Sequence, residues 1–146
     1  MSRTLPEDEL DRLKKFLDGP MVAVLATIGR DSVPILAPIW HNYSDGRITI
    51  SSRKETAKFH NLERDGRVAL TVCSEPQAAE YRTVWGHAET MDGNTIRPPT
   101  RAIMERYVGL GADVPFGLED GDEYIGHLKK QNRAIISVQP TRVRFR

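Results

Sequence analysis

The chain has 146 residues, a formal net charge of +1 and 28% charged residues, a length that buries a full core in one domain without disulfide or metal staples. Both signs are mixed along the sequence, so there is no global basic field for nucleic acid or an anionic membrane, and any site for a polyanion must be local. The single cysteine, Cys73, excludes an internal disulfide framework and a cysteine-rich zinc site, and its place after "RVALTV" reads as a buried strand thiol.

The opening "MSRTLPEDELDRLKK" is polar with no apolar h-region, and no later stretch approaches the roughly 18 apolar residues that span a bilayer. A soluble, reducing, cytoplasmic setting without a membrane partner is the expectation. Thr4 and Glu7 have the S/T-x-x-E capping-box spacing, and Leu10, Leu13 and Leu17 recur at helical intervals until Gly19-Pro20, which reads as one amphipathic helix. From Met21 the texture becomes β-branched and aromatic: "MVAVLATIG", "VPILAPIWHNY" and "RITISS" read as strands joined by hairpins, with Asp45-Gly46 as a turn signal.

Residues 54 to 65 fit a brief surface helix with Phe59 and Leu62 on one side, followed by strands at 67 to 74 and 80 to 91, with Gly86 marking a bulge or a close backbone approach. Pro98-Pro99 opens a helix to about Val108, "GLGADVPFG" reads as loop, "DEYIGHLKKQN" as a weaker helix, and "AIISV" and "TRVRF" as two strands about Pro140. Consecutive antiparallel hairpins with short helices between them predict a mainly β fold, a small closed barrel formed by a single domain over residues 1 to 146.

One stretch concentrates polar chemistry. "SSRKETAKFHNL", residues 51 to 62, leaves the strand "RITISS" and enters a helix at a second capping-box spacing, Ser52 to Glu55. The helix N-terminus then points N–H groups and a partial positive charge into the corner that holds Ser51, Ser52, Arg53, Lys54 and Thr56. Lys54, Lys58 and Asn61 share a helical face. Such a set describes a phosphate pocket; the alternative is a capped surface helix whose cations face water beside Glu55, Glu63 and Asp65.

In "VPILAPIWHNY", Pro34 and Pro38 remove ladder donors and confine the strand to an edge, bulge or bend, with Trp40 either an aromatic wall for a ligand or a buried rim residue. His41, His60, His87 and His127 are scattered, with no H-E-x-x-H, no metal-ligand spacing and no G-x-S-x-G elbow, so a bound cofactor is the simplest source of chemistry.

Taken together, "MVAVLATIGRDSVPILAPIW", "GRITISSRKETAKFHNLERDGRVALTV" and "WGHAE" resemble the flavin-binding split β-barrel family that includes pyridoxamine 5′-phosphate oxidases and the flavin or deazaflavin oxidoreductases. The resemblance rests on A-T-x-x-x-D-x-x-P, on P-x-W at 38 to 40 and on K-x-x-N-L followed by R-V at 58 to 68, and it covers residues 18 to 90 more closely than the C-terminal third. It implies an antiparallel split barrel, a homodimer with two cofactors at the subunit interface, and FMN or deazaflavin (coenzyme F-420) as the cofactor. By position it assigns Pro38, Ile39 and Trp40 to the ring and Ser51, Ser52, Lys58 and Asn61 to the phosphate-bearing tail.

Ala57 stands where the oxidases carry an arginine before the lysine, and no histidine follows His127, so vitamin B6 oxidation ranks below reduction of a small conjugated substrate. Arg53 or Lys54 is left as a substitute phosphate contact. A flavin or haem carrier without turnover, with His41 or His87 as haem ligand, and a purely structural dimerisation module are the competing readings.

Overall fold

Side chains alternate across a strand, so a strand with one buried face is apolar at every second position. The inward series here are Ala23, Leu25 and Thr27; Ile48, Ile50 and Ser52; Val68, Leu70 and Val72; and Ala134, Ile136 and Val138, all buried. The computed structural model describes residues 4–19, 21–74, 80–92, 97–108, 130 and 132–145. Along the chain these form α1 (Glu7–Phe16), β1 (Ala23–Ile28), β2 (Pro34–Ile39), β3 (Asn42–Ser44), β4 (Arg47–Arg53), α2 (Ala57–Arg64), β5 (Arg67–Cys73), β6 (Tyr81–Met91), α3 (Arg97–Val108) and β7 (Arg133–Phe145). The loop expected over 109 to 117, most of the weaker helix expected over 122 to 132, and His127 lie outside the described residues.

The strands make one curled sheet in the order β2-β1-β5-β6-β7-β4-β3, with every pairing antiparallel. This is the mainly β split barrel expected, but it is a half-barrel rather than a closed one: β2 and β3 are its two edges. Pro34 and Pro38 fall on the edge strand β2, as their missing donors require. Asp45 and Gly46 both have positive φ, 52° and 75°, which is the two-residue turn whose twist suits a hairpin, here β3 to β4.

Leu13 and Leu17 of the first helical segment are fully buried and close the inner core with Phe59 and Leu62 of α2. α1 begins after Pro6 with no side-chain cap, so the Thr4–Glu7 capping box does not form. Glu7, Asp8 and Glu9 in its first turn and Lys14 and Lys15 in its last complement the helix dipole instead. The Arg12 guanidinium lies 3.9 Å from the Phe145 ring centroid and that of Arg82 4.2 Å from Phe16, pinning α1 to β6 and β7.

Two further expectations are corrected. Cys73 is exposed, because β5 buries Val68, Leu70 and Val72 and the period of two turns Cys73 outward. "AIISV" and "TRVRF" form one strand across Pro140. A register shift at Trp85/Gly86 pairs Val84 with Val143 and Ala88 with Val138, so β7 has one residue more than β6 between these pairs. That extra residue lets Val138 and Val143 both face the core, and it accommodates the donor that Pro140 lacks.

Gly86 is the residue this bulge cannot replace. A Cβ there would lie 2.3 Å from the Gln139 carbonyl oxygen, against backbone rather than a yielding side chain. Gly86→Ala is expected to destabilise the fold by about 1–3 kcal/mol, the usual cost of overpacking, measured as a lower urea midpoint with an unchanged m-value.

Candidate functional site

Two clusters form at the places the sequence singles out. The first is the corner where β4 leaves the sheet. Ser51 lies in β4 opposite Ile135, and Arg53 opposite Arg133, so Ser51 and both arginines share the outer side of the sheet. The Arg133 guanidinium donates to Ser51 Oγ at 3.3 Å. The Lys54 N–H donates to the Asn132 carbonyl at 2.9 Å, tying the end of β4 to the start of β7.

α2 then starts at Ala57 after Thr56, so the Ser52–Glu55 capping box does not form either. Thr56 donates its hydroxyl to the Arg53 carbonyl at 2.8 Å, with its Oγ1 3.1 Å from Ser52 Oγ, and α2 has no side-chain cap. Its first-turn N–H groups and their partial positive charge are left at the corner.

Lys58, half-buried in that first turn, has its ammonium pKa lowered by burial and then by the Arg133 charge. No carboxylate among the described residues is within ion-pair distance of it. Arg53 and Lys54, by contrast, have acidic neighbours: Glu55 at 4.0 Å and, in close contact, Asp92.

The structure therefore gathers Ser51, Lys58 and Arg133 into one basic corner. Ser52 and Asn61 stand behind it, buried. Ser52 donates to the Arg53 carbonyl at 3.1 Å, while Asn61 donates to Thr27 Oγ1 at 3.0 Å and accepts from Arg64 at 2.8 Å. Arg133 is the residue that sequence reasoning missed. Its signal lay in pairing "RITISSR" with "RAIISV" antiparallel, which sets two arginines across from each other.

The second cluster sits where β2 gives way to β3. Alternation puts Pro38 and Trp40 outward and Ile39 inward, buried at 7% exposure against 37% for Trp40. Trp40 stacks on Tyr107 of α3, with ring centroids 4.6 Å apart and planes 4° from parallel. The Tyr107 hydroxyl donates to the Met21 carbonyl at 2.6 Å and accepts the His41 N–H at 3.1 Å. The sequence marked Trp40 but not Tyr107, which reads there as one more apolar position of a helix. Arg106, next to it, reaches the Leu17 and Gly19 carbonyls past the end of α1.

His41 beside this pair is fully buried, and among the described residues neither ring nitrogen makes a well-formed hydrogen bond. Burial and then the Arg106 charge lower its pKa from 6.5 to about 4. A cleft of about 390 Å³ between α1, Tyr43 and Arg106 contains none of these candidates, and its lining mixes Asp11 and Asp18 with Lys14 and Lys15. Among the described residues no cluster of three His, Cys, Asp or Glu side chains is placed to hold a metal, and no helix is long and apolar enough to cross a membrane.

The family model for pyridoxamine 5′-phosphate oxidase matches residues 10–146. The chain belongs to that family. Its flavin-binding split-barrel fold recurs in solved structures that share little sequence with it. One is a protein named F420 reductase, 20% identical, with 90% of this chain and 94% of that one covered at a TM-score of 0.70. A conserved hypothetical protein from Mycobacterium tuberculosis is 23% identical over 99% of this chain and 86% of its own, at 0.72.

A heme binding protein from Mycobacterium smegmatis is 15% identical at a TM-score of 0.68, with 98% of this chain matching 55% of that one. At such identities the likeness concerns the fold of the pyridoxamine 5′-phosphate oxidase family and not a shared substrate.

His41 sets a pH dependence whose sign is fixed by its lowered folded-state value. Above pH 6.5 both states hold it neutral; below, the unfolded chain binds a proton that the folded chain resists, so stability falls as pH drops from 6.5 toward 4. The full loss amounts to about 3 kcal/mol. Urea melts across that window are expected to show this slope in the wild type and to lose it in His41→Leu.

Proposed function

We propose that this chain is an oxidoreductase that binds FMN or deazaflavin (coenzyme F-420) and passes hydride between the cofactor and a small conjugated substrate. The observation that carries the reading is the corner itself: Lys58 is half-buried within electrostatic reach of Arg133, beside Ser51 and an α2 N-terminus without a side-chain cap. A half-buried ammonium and a guanidinium within reach of each other offer a bound phosphate two charge-assisted donors, and the phosphate favours the charged form of Lys58. The donor set fits a phosphate-bearing group.

In this reading Ser51, Lys58 and Arg133 hold the phosphate tail. Ser52 and Asn61, with their polar atoms already bonded inward, keep the strand end and the helix in place around it. Pro38 and Trp40 line the ring, and Ile39 anchors that strand segment inward between them. When bound, the cofactor supplies the hydride chemistry, and the chain's own residues bind it, orient it and limit water at its ring.

The active unit we infer is a homodimer in the cytoplasm. α3 covers the outer side of the sheet over β7, where Ile103 and Tyr107 pack on Ile135. Val24, Leu36 and Pro38 on the outer side of β1 and β2 remain exposed, next to Trp40. A second copy seated there removes this apolar surface from water and encloses the ring end of each site.

A flavin or haem carrier is the second reading. Of the two histidines expected as haem ligand, His41 is enclosed and His87 is exposed. An absorption spectrum of the purified protein, before and after FMN, F-420 or haem is added, separates the two. A haem band with no flavin binding overturns the proposal, as does a reduced cofactor that stays unreactive toward a broad panel of acceptors.

Lys58→Ala is expected to weaken cofactor binding by about 1.5–3 kcal/mol, the range for a hydrogen bond to a charged group; unchanged affinity in a folded variant removes Lys58 from the site. Leu36→Glu places a charge on the uncovered face and is expected to shift the protein from dimer to monomer in sedimentation, with its fold intact.

A further inference from the structure

We infer that Tyr107 is a positioning residue for the ring end of the site: it backs one face of Trp40 and fixes the plane on which a conjugated ring stacks. The inference rests on the reading of Trp40 as a ring-lining residue and adds what holds that residue in place. Trp40 directly follows an edge strand and is 37% exposed, a situation in which an indole ordinarily samples several rotamers. Here one of its faces is taken by a phenol ring 4.6 Å away and 4° from parallel.

Tyr107 is itself 3% exposed, packed with Ile103 and Ile135, and gripped at its hydroxyl by the Met21 carbonyl and the His41 N–H. Its grip therefore joins the segment leading into β1 to the junction of β2 and β3. Arg106, one residue earlier on α3, bonds the Leu17 and Gly19 carbonyls and secures the helix that carries Tyr107.

The consequence is a preorganised platform. The indole does not have to be ordered when a ligand arrives, and the face turned away from Tyr107 is the one left for stacking. An electron-rich indole backed by a phenol favours a planar, electron-poor conjugated ring, the class to which an oxidised flavin belongs.

The test uses full-length protein in a Trp85→Phe background, where Trp40 is the single tryptophan. Without ligand, Tyr107→Leu is expected to increase acrylamide quenching of Trp40 and lower its emission anisotropy, while Tyr107→Phe, which keeps the ring but loses the hydroxyl grip, moves both less. On titration with FMN, Tyr107→Leu is expected to weaken binding by about 3- to 10-fold, the range for loss of one aromatic stack. Trp40→Leu should weaken it comparably, and the two losses should not add in the double variant.

If Tyr107→Leu does not fold, Tyr107→Phe carries the test, and loss of FMN affinity in folded Tyr107→Phe as large as in Trp40→Leu overturns the inference. Normal FMN binding in both Tyr107→Leu and Trp40→Leu overturns it while leaving the proposed cofactor intact. A wild-type protein that binds neither FMN nor F-420 overturns both readings together.

Discussion

The basic corner depends on a hydrogen bond buried two layers behind it. Asn61 of α2 donates to Thr27 of β1 in a region where both residues are nearly inaccessible, and Arg64 closes the arrangement by bonding the Asn61 carbonyl oxygen and the Ile28 carbonyl. An α2 of eight residues is too short to hold its shape alone. Phe59 and Leu62 seat it on the core by apolar contact, which is tolerant of sliding, whereas a buried amide paired with a buried hydroxyl is not. That directional bond sets where Lys58, one turn earlier, stands relative to β4 and β7.

Much of this architecture could be read from the residues, and the places where it could not share a cause. Period-two alternation, the Asp45-Gly46 turn, the edge strand carrying Pro34 and Pro38, and the bulge at Gly86 are all local signals, and the structure contains each of them. The apolar run ending at Cys73 does not itself say which face each residue takes; strand alternation in β5 turns Cys73 outward. The Ser52–Glu55 capping box failed because equal spacing does not tell a cap from a hydroxyl with another use, and Thr56 beside Ser52 donates to the Arg53 carbonyl.

The candidate site was legible where it lies on one continuous stretch, residues 51 to 62, and obscure where distant segments meet. Arg133 and Tyr107 reach their partners from 82 residues away in the case of Ser51 and 66 in the case of His41. Nothing in their own neighbourhoods marks them. Departures from ordinary folding economy cluster at this end of the molecule: a half-buried lysine near an arginine, an exposed tryptophan, and a buried histidine whose ring makes no well-formed hydrogen bond among the described residues. Such local conflicts are tolerated where a site requires them, and the apolar interior offsets them.

The two prolines of β2 also govern how the molecule meets its own kind. They are four residues apart, so both lie on the same side of the strand, the side that in an edge strand points away from the sheet. Between them only Leu36 can offer an amide in that direction. A free edge with intact donors is a template on which further strands assemble, the first step toward fibrils. With two of three donors removed, this edge is a poor template, and an apolar surface that would otherwise invite runaway strand addition remains usable for closed, face-to-face contact.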